Sequence, residues 1–156
     1  MLEVLIAILV MSFGLLGLAG LQATGLRNSH SAYMRSIATQ QAYDIADRMR
    51  ANIAGTNSGN YNMTSVGLPT APTCITAGCS TVDMAKYDDF QWKTSLAAAL
   101  PRGQGIVCRD NTPNDGTPTA VACDGGANYV VKIWWNDEKD PNTTPNLKRF
   151  VTGFRL

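Results

Sequence analysis

Val4-Leu5-Ile6-Ala7-Ile8-Leu9-Val10-Met11-Ser12-Phe13-Gly14-Leu15-Leu16-Gly17-Leu18-Ala19-Gly20-Leu21-Gln22-Ala23-Thr24-Gly25-Leu26 is a run of 23 residues without a charge. As an α-helix it reaches about 35 Å, against a bilayer core of roughly 30 Å. The length therefore permits a membrane span. It exceeds the apolar centre of a secretory signal peptide, usually about 7–15 residues. No basic stretch precedes it and no small-x-small cleavage site follows it. The whole chain has 156 residues, 45% hydrophobic and 16% charged, with 13 Lys+Arg against 12 Asp+Glu and a net charge of +1. Residues 1–26 hold one charge, Glu3, and the other 24 lie beyond them. That asymmetry describes an apolar appendage on a single soluble domain. The near-balance of charge argues against a nucleic-acid binder, and the apolar content argues against a disordered chain.

Glu3 opens the apolar run. A carboxylate there is costly unless it is paired, neutralised or held at the interface. It reads either as a helix-start acid favoured by the helix dipole or as the partner of a positive charge on another subunit. Gly14, Gly17, Gly20 and Gly25 each cost a helix roughly 1 kcal/mol relative to Ala. Small residues at such spacing let helix backbones approach closely, although glycine is also simply frequent in membrane helices. Beyond Arg27 the helix is expected to continue. Met34, Ile37, Gln41, Ile45, Met49 and Ile53 follow at steps of three or four, with Ala38, Ala42 and Ala46 beside them. This is one core-facing stripe. Gly55 is the expected stop, which gives one helix over residues 2–53, about 78 Å long.

Residues 54–80, rich in Gly, Ser, Thr, Asn and Pro, read as loop. Ser80-Thr81-Val82-Asp83 resembles a capping box and predicts a helix over 81–100, with Phe90, Trp92, Leu96, Ala99 and Leu100 buried. Strands are predicted at 105–109, 119–123, 128–136 and 147–154, within a sheet region 105–156. Trp134 and Trp135 point to opposite faces of a regular strand, one to the core and the other to an interface or under a loop. The fold class is α+β: an antiparallel meander whose apolar face must be covered, with the stripe on 34–53 as the cover.

Four cysteines, Cys74, Cys79, Cys108 and Cys123, allow three pairings. The two clusters make Cys74–Cys79 and Cys108–Cys123 the simplest choice. The second would close a loop over 109–122. The spacings do not suit zinc knuckles, and disulfides imply an oxidising compartment. No catalytic constellation stands out. The single histidine, His30, reads as a surface residue on the long helix, and no phosphate loop, zinc-helix motif or dinucleotide fingerprint is present. Asn136-Asp137-Glu138-Lys139-Asp140 lacks the spaced ligands of a calcium loop and reads as a solvated turn. No cofactor and no metal is expected.

The start Met1-Leu2-Glu3-Val4-Leu5-Ile6-Ala7-Ile8-Leu9-Val10 resembles that of a mature type IV pilin or pseudopilin. Those proteins open with a processed, N-methylated Phe, a small residue, two apolar residues and a glutamate. If Glu3 is that glutamate, the Phe and its neighbour lie just before Met1, with the leader before them. Gly14-Leu15-Leu16-Gly17-Leu18-Ala19-Gly20-Leu21-Gln22 and Ala46-Asp47-Arg48-Met49-Arg50-Ala51-Asn52 resemble the PilV-type minor pilins, also called type IV pilus modification proteins. So do the segment from Tyr87 to Pro101 with Gln91-Trp92, then Val107-Cys108-Arg109-Asp110, Ala122-Cys123-Asp124-Gly125 and Tyr129-Val130-Val131-Lys132-Ile133-Trp134-Trp135.

The resemblance implies a non-enzymatic minor pilin. Its residues 1–26 would anchor it in the inner membrane and then enter the filament core, and 27–156 would form the periplasmic, later extracellular, domain. Glu3 would meet the N-terminal amine of a neighbouring subunit. Implied partners are other minor pilins, the major pilin, a tip adhesin, the inner-membrane assembly machinery and the prepilin peptidase. The implied role is to prime assembly and sit at the tip. A pseudopilin of a type II secretion system and an anchored, non-polymerising binding domain are the alternatives.

Overall fold

The computed structural model describes residues 2–74, 78–137 and 147–155. The chain divides into two compact units, Met1–Met34 and Arg35–Leu156. Helix α1 runs Leu2–Ala51, followed by a short α2, Ile53–Asn57. A third helix, α3, spans Thr81–Ala99. Three strands follow, β1 Gln104–Arg109, β2 Tyr129–Asn136 and β3 Leu147–Phe154. They pair antiparallel in the order β1-β2-β3. This is an α+β, type IV pilin-like architecture with an additional helix and disulfide-closed loops.

The first unit is the beginning of α1. In the second unit the stripe appears as buried Ala38, Ala42, Ile45, Ala46 and Met49. It ends earlier than its spacing suggested, because Ile53 is 47% exposed. The cause is Asn52. Its side chain accepts from the Gly55 amide and donates to the Thr81 carbonyl and to Tyr61 Oη. An N-cap inside the run closes α1 and starts α2. Gly55, expected as the stop, lies within α2, where a Cβ would sit 2.5 Å from Asn52 Nδ2.

Helix α3 begins on the cap its sequence advertises, with Ser80 Oγ accepting from the Asp83 amide. It is pinned to α1 by Trp92, whose Nε1 donates to the Gln41 carbonyl at 2.8 Å, and by Gln41 Nε2 donating to Ser95 Oγ. Trp92, Leu96 and Leu100 are fully covered, whereas Phe90 is half-buried. The buried stripe instead runs through Asp88, Asp89 and Lys93. Charges are tolerated there because each has a partner. Lys93 Nζ meets Asp89 Oδ2 at 2.8 Å and donates to the Ser65 carbonyl. Asp88 accepts from Tyr61 Oη and from Arg48.

Every residue of β2 is buried, and the register shows why. Ile106, Cys108, Val130, Lys132 and Trp134 occupy one face; Gly105, Val107, Val131, Ile133 and Trp135 occupy the other. α3 meets the second face at Gly105, where a Cβ would lie 2.6 Å from both Leu96 Cδ1 and Trp92 Cη2. Gly105→Ala is therefore expected to lower unfolding free energy by about 1–3 kcal/mol through overpacking. Urea unfolding of the chain in detergent measures this. An unchanged midpoint would show that α3 yields at that contact.

The stretch 119–123 is not a strand of the sheet. It contributes a single bridge, Thr117–Ala120, and Ala122 takes a positive φ of 49°. Its carbonyls are committed to a side chain, as described below, and are therefore lost to a ladder. Of the turn at 136–140, residues 138–140 lie outside the described residues.

Candidate assembly helix and a disulfide-closed ionic loop

Two places carry the chemistry of this chain, one in each unit. In the first, every residue from Leu2 to Leu26 is exposed, including Leu5 at 67% and Leu21 at 73%. The segment is long and apolar enough to cross a membrane. Its hydroxyls are satisfied within the helix. Ser12 Oγ donates to the Ile8 carbonyl and Thr24 Oγ1 to that of Gly20, which suits a helix surrounded by lipid or by other helices. Gly14, Gly17, Gly20 and Gly25 have open space where a Cβ would be. No close approach within this fold uses their smallness. Glu3 lies in the first turn and has no ion-pair partner among the described residues. His30 is exposed on the same helix.

The second place is the loop between β1 and β2. The structure pairs Cys108 with Cys123, Cα atoms 6.2 Å apart, and Cys74 with Cys79 at 5.0 Å. Beneath the loop stands Lys132, a cation on the central strand with no exposed surface. Its ammonium lies 2.5 Å from Asp110 Oδ2 and 2.8 Å from Asp115 Oδ1. It also donates to the carbonyls of Ala122 at 2.9 Å, Val121 at 3.2 Å and Asp115 at 3.2 Å. The neighbouring strand supplies a second cation on the same face. Arg149 pairs in register with Trp134 and donates to the Gly116 and Asn114 carbonyls. Asp110 Oδ1 accepts from the Thr112 amide, and Asp124 from that of Asn111. Oxygens of the loop thus converge on two cations from the sheet, and the disulfide closes the neck.

Burial pushes the Asp110 carboxyl up. Hydrogen bonds from Lys132 and the Thr112 amide, with the ammonium's charge, overcome this and hold it below the ordinary carboxylate range. The hydrogen bond from Lys132 likewise lowers Asp115. In the helical layer the balance reverses. Burial raises Asp89 despite Lys93, and burial with the Asp88 hydrogen bond raises Tyr61. Cys108, Asp110 and Cys123 place two sulfurs and a carboxylate oxygen within 4.8 Å of one another. Both sulfurs are committed to the disulfide and Asp110 faces Lys132, so the donor set does not suit a metal.

Both tryptophans are buried, Trp134 beneath this loop beside Ile106 and Cys108, and Trp135 on the opposite face. No local pattern in the sequence points to the Lys132 cluster. The one available signal was a lysine at the centre of the apolar run Tyr129–Trp135, on the face that such a strand buries.

An exposed apolar helix leading into an α+β domain with a disulfide-closed loop is the architecture of pilin-like proteins. The family model of the type IV pilin Tt1218 and its relatives matches residues 20–90, from the apolar part of α1 into α3. The match supports a place in the type IV pilin superfamily, a structural rather than catalytic class whose members associate with pilus components. No curated protein and no solved structure gives a significant match.

Proposed function

We propose that this chain is a non-catalytic minor pilin of the PilV type. On this reading residues 1–26 hold it in the inner membrane with residues 27–156 in the periplasm. The same helix half then enters the filament core, and the protein joins other minor pilins and an adhesin at the tip to prime assembly. The observation that carries the reading is the wholly exposed apolar segment Leu2–Leu26 on a chain that matches a type IV pilin family. Such a surface needs lipid or other helices around it. The four glycines that this fold does not use suit close helix–helix contact.

Glu3 has the role of accepting a neighbour's amine. In a low-dielectric core that pair sets register, since a misplaced subunit leaves a charge unpaired. Glu3→Ala is expected to leave the protein in membranes and abolish its appearance in sheared pili, read by immunoblot of both fractions. Normal incorporation of the variant would remove that role from Glu3. The same blot on the unaltered protein tests the function. A trace amount relative to the major subunit supports a minor pilin, and a near-equal amount makes it a main subunit. Absence from pili with full retention in membranes favours a secretion pseudopilin or a non-polymerising anchored domain.

A further inference from the structure

At the end of the sheet opposite the β2–β3 connection, a cavity of about 270 Å³ opens between the ends of β1 and β3, the start of β2 and the end of α2. Two arginines line it, Arg109 and Arg155, together with Tyr129, Phe154, Asn57 and Asn128. Neither guanidinium has a carboxylate partner among the described residues, unlike Arg48 and Arg50, which pair with acids on α1. The reason lies in the pleat. Asp110 is next to Arg109 in sequence but projects to the other face of the sheet, where Lys132 holds it. Arg109 is left on the face of Tyr129, its register partner.

The Arg109 guanidinium carbon sits 5.1 Å from the centre of the Tyr129 ring, and that ring stacks on Phe154, centroids 6.4 Å apart. The Tyr129 ring is itself fixed, because its hydroxyl donates to the Thr56 carbonyl at 2.9 Å. Among the described residues the buried Nε of Arg109 also has no acceptor. The guanidinium is thus oriented by stacking, with donor capacity that the described residues do not use. A charged donor held in place over an aromatic shelf, with a second arginine at the rim, is prepared for a planar oxyanion in the plane of its fork.

We propose that this cavity is a receptor for a single carboxylate, presented by a Glu or Asp side chain on an acidic segment of a partner protein. The stacked rings would pack the methylene arm and the two guanidiniums would hold the oxygens. A polyanion is a poorer fit. Two arginines at one cavity do not form a track, and a net charge of +1 supplies no basic stripe. The proposal does not depend on the chain entering a filament.

The test uses the full chain, ¹⁵N-labelled in detergent micelles, followed by NMR during titration with a capped Gly-Glu-Gly peptide. The controls are capped Gly-Gln-Gly, inorganic phosphate and a short DNA duplex. The Glu peptide is expected to shift the Asn128 and Tyr129 amides and the Arg109 Nε–H signal saturably, and the Gln peptide to leave them in place. Arg155→Gln, at an exposed position, is expected to weaken the Glu peptide several-fold. Arg109→Lys is expected to weaken it about tenfold by replacing a fork with a point charge. Equal shifts from Glu and Gln peptides, no shift from either, or tighter binding of phosphate or DNA than of the Glu peptide would each overturn the proposal.

Discussion

Lys132→Met is expected to lower the unfolding free energy by roughly 3–5 kcal/mol, because it leaves the buried Asp110 carboxylate without its counter-charge. The same substitution orphans the carbonyls of Val121 and Ala122, which accept from the ammonium. Urea unfolding in detergent reads the loss, and a change below about 1 kcal/mol would place the pair among ordinary surface bridges. The double variant Lys132→Met, Asp110→Asn sharpens the test. Asn keeps an acceptor for the Thr112 amide and removes the unpaired charge. It is therefore expected to recover part of the loss, since replacing both members of a buried pair costs less than removing one.

The same cluster sets an acid limit. Asp110 and Asp115 are held low in the folded state, so the unfolded chain binds their protons first. Their stabilisation is fully present above the unfolded carboxylate value near 3.9 and is lost as pH falls through the folded values. Asp89 works in the opposite sense. Its folded value is raised, so it adds stability as pH falls through that value toward the unfolded one. The net expectation is a plateau at neutral pH and a decline below about pH 4. The acid slope should be shallower in the Lys132→Met, Asp110→Asn double variant.

What could be read from sequence alone was whatever depends on local pattern. The uncharged run 4–26 fixes its own environment, and the Ser80 cap fixes the start of α3. The β-branched and aromatic residues of Tyr129–Asn136 foretell a strand, and apolar side chains at both alternating positions fit burial on both faces. Three features escaped because they depend on partners distant in sequence. Asn52 ended α1 by reaching Thr81 and Tyr61, and nothing in its neighbours announces either. Residues 119–123 have a β-like composition, but Lys132, ten and eleven residues beyond Ala122 and Val121, takes the carbonyls that a strand would need. Arg109 lacks a carboxylate partner among the described residues because β1 turns Asp110 and Arg109 to opposite faces, which requires the register and not merely the strand.

Breaking the Cys108–Cys123 bond with Cys108→Ser and Cys123→Ser should cost about 3 kcal/mol in the chain-entropy model, given a sequence separation of 15. The Cys74–Cys79 bond closes a separation of only 5, so Cys74→Ser with Cys79→Ser should cost roughly 1 kcal/mol less. The first pair acts on the same loop that Lys132 organises, so the two contributions are coupled. With the neck open, residues 110–122 gain freedom, and Lys132 must order them without help. With Lys132 removed, the disulfide constrains a loop whose carbonyl and carboxylate acceptors have already lost their common donor. The combined loss for Cys108→Ser, Cys123→Ser and Lys132→Met should therefore differ from the sum by at least about 0.5 kcal/mol, as for residues sharing one network. A control combining the Cys74 and Cys79 changes with Lys132→Met should be additive, because among the described residues neither Cys74 nor Cys79 shares a hydrogen-bond partner with Lys132. Strict additivity in the first cycle would mean that the disulfide and the ion cluster stabilise the loop independently. The closed neck would then be a constraint on the unfolded chain alone.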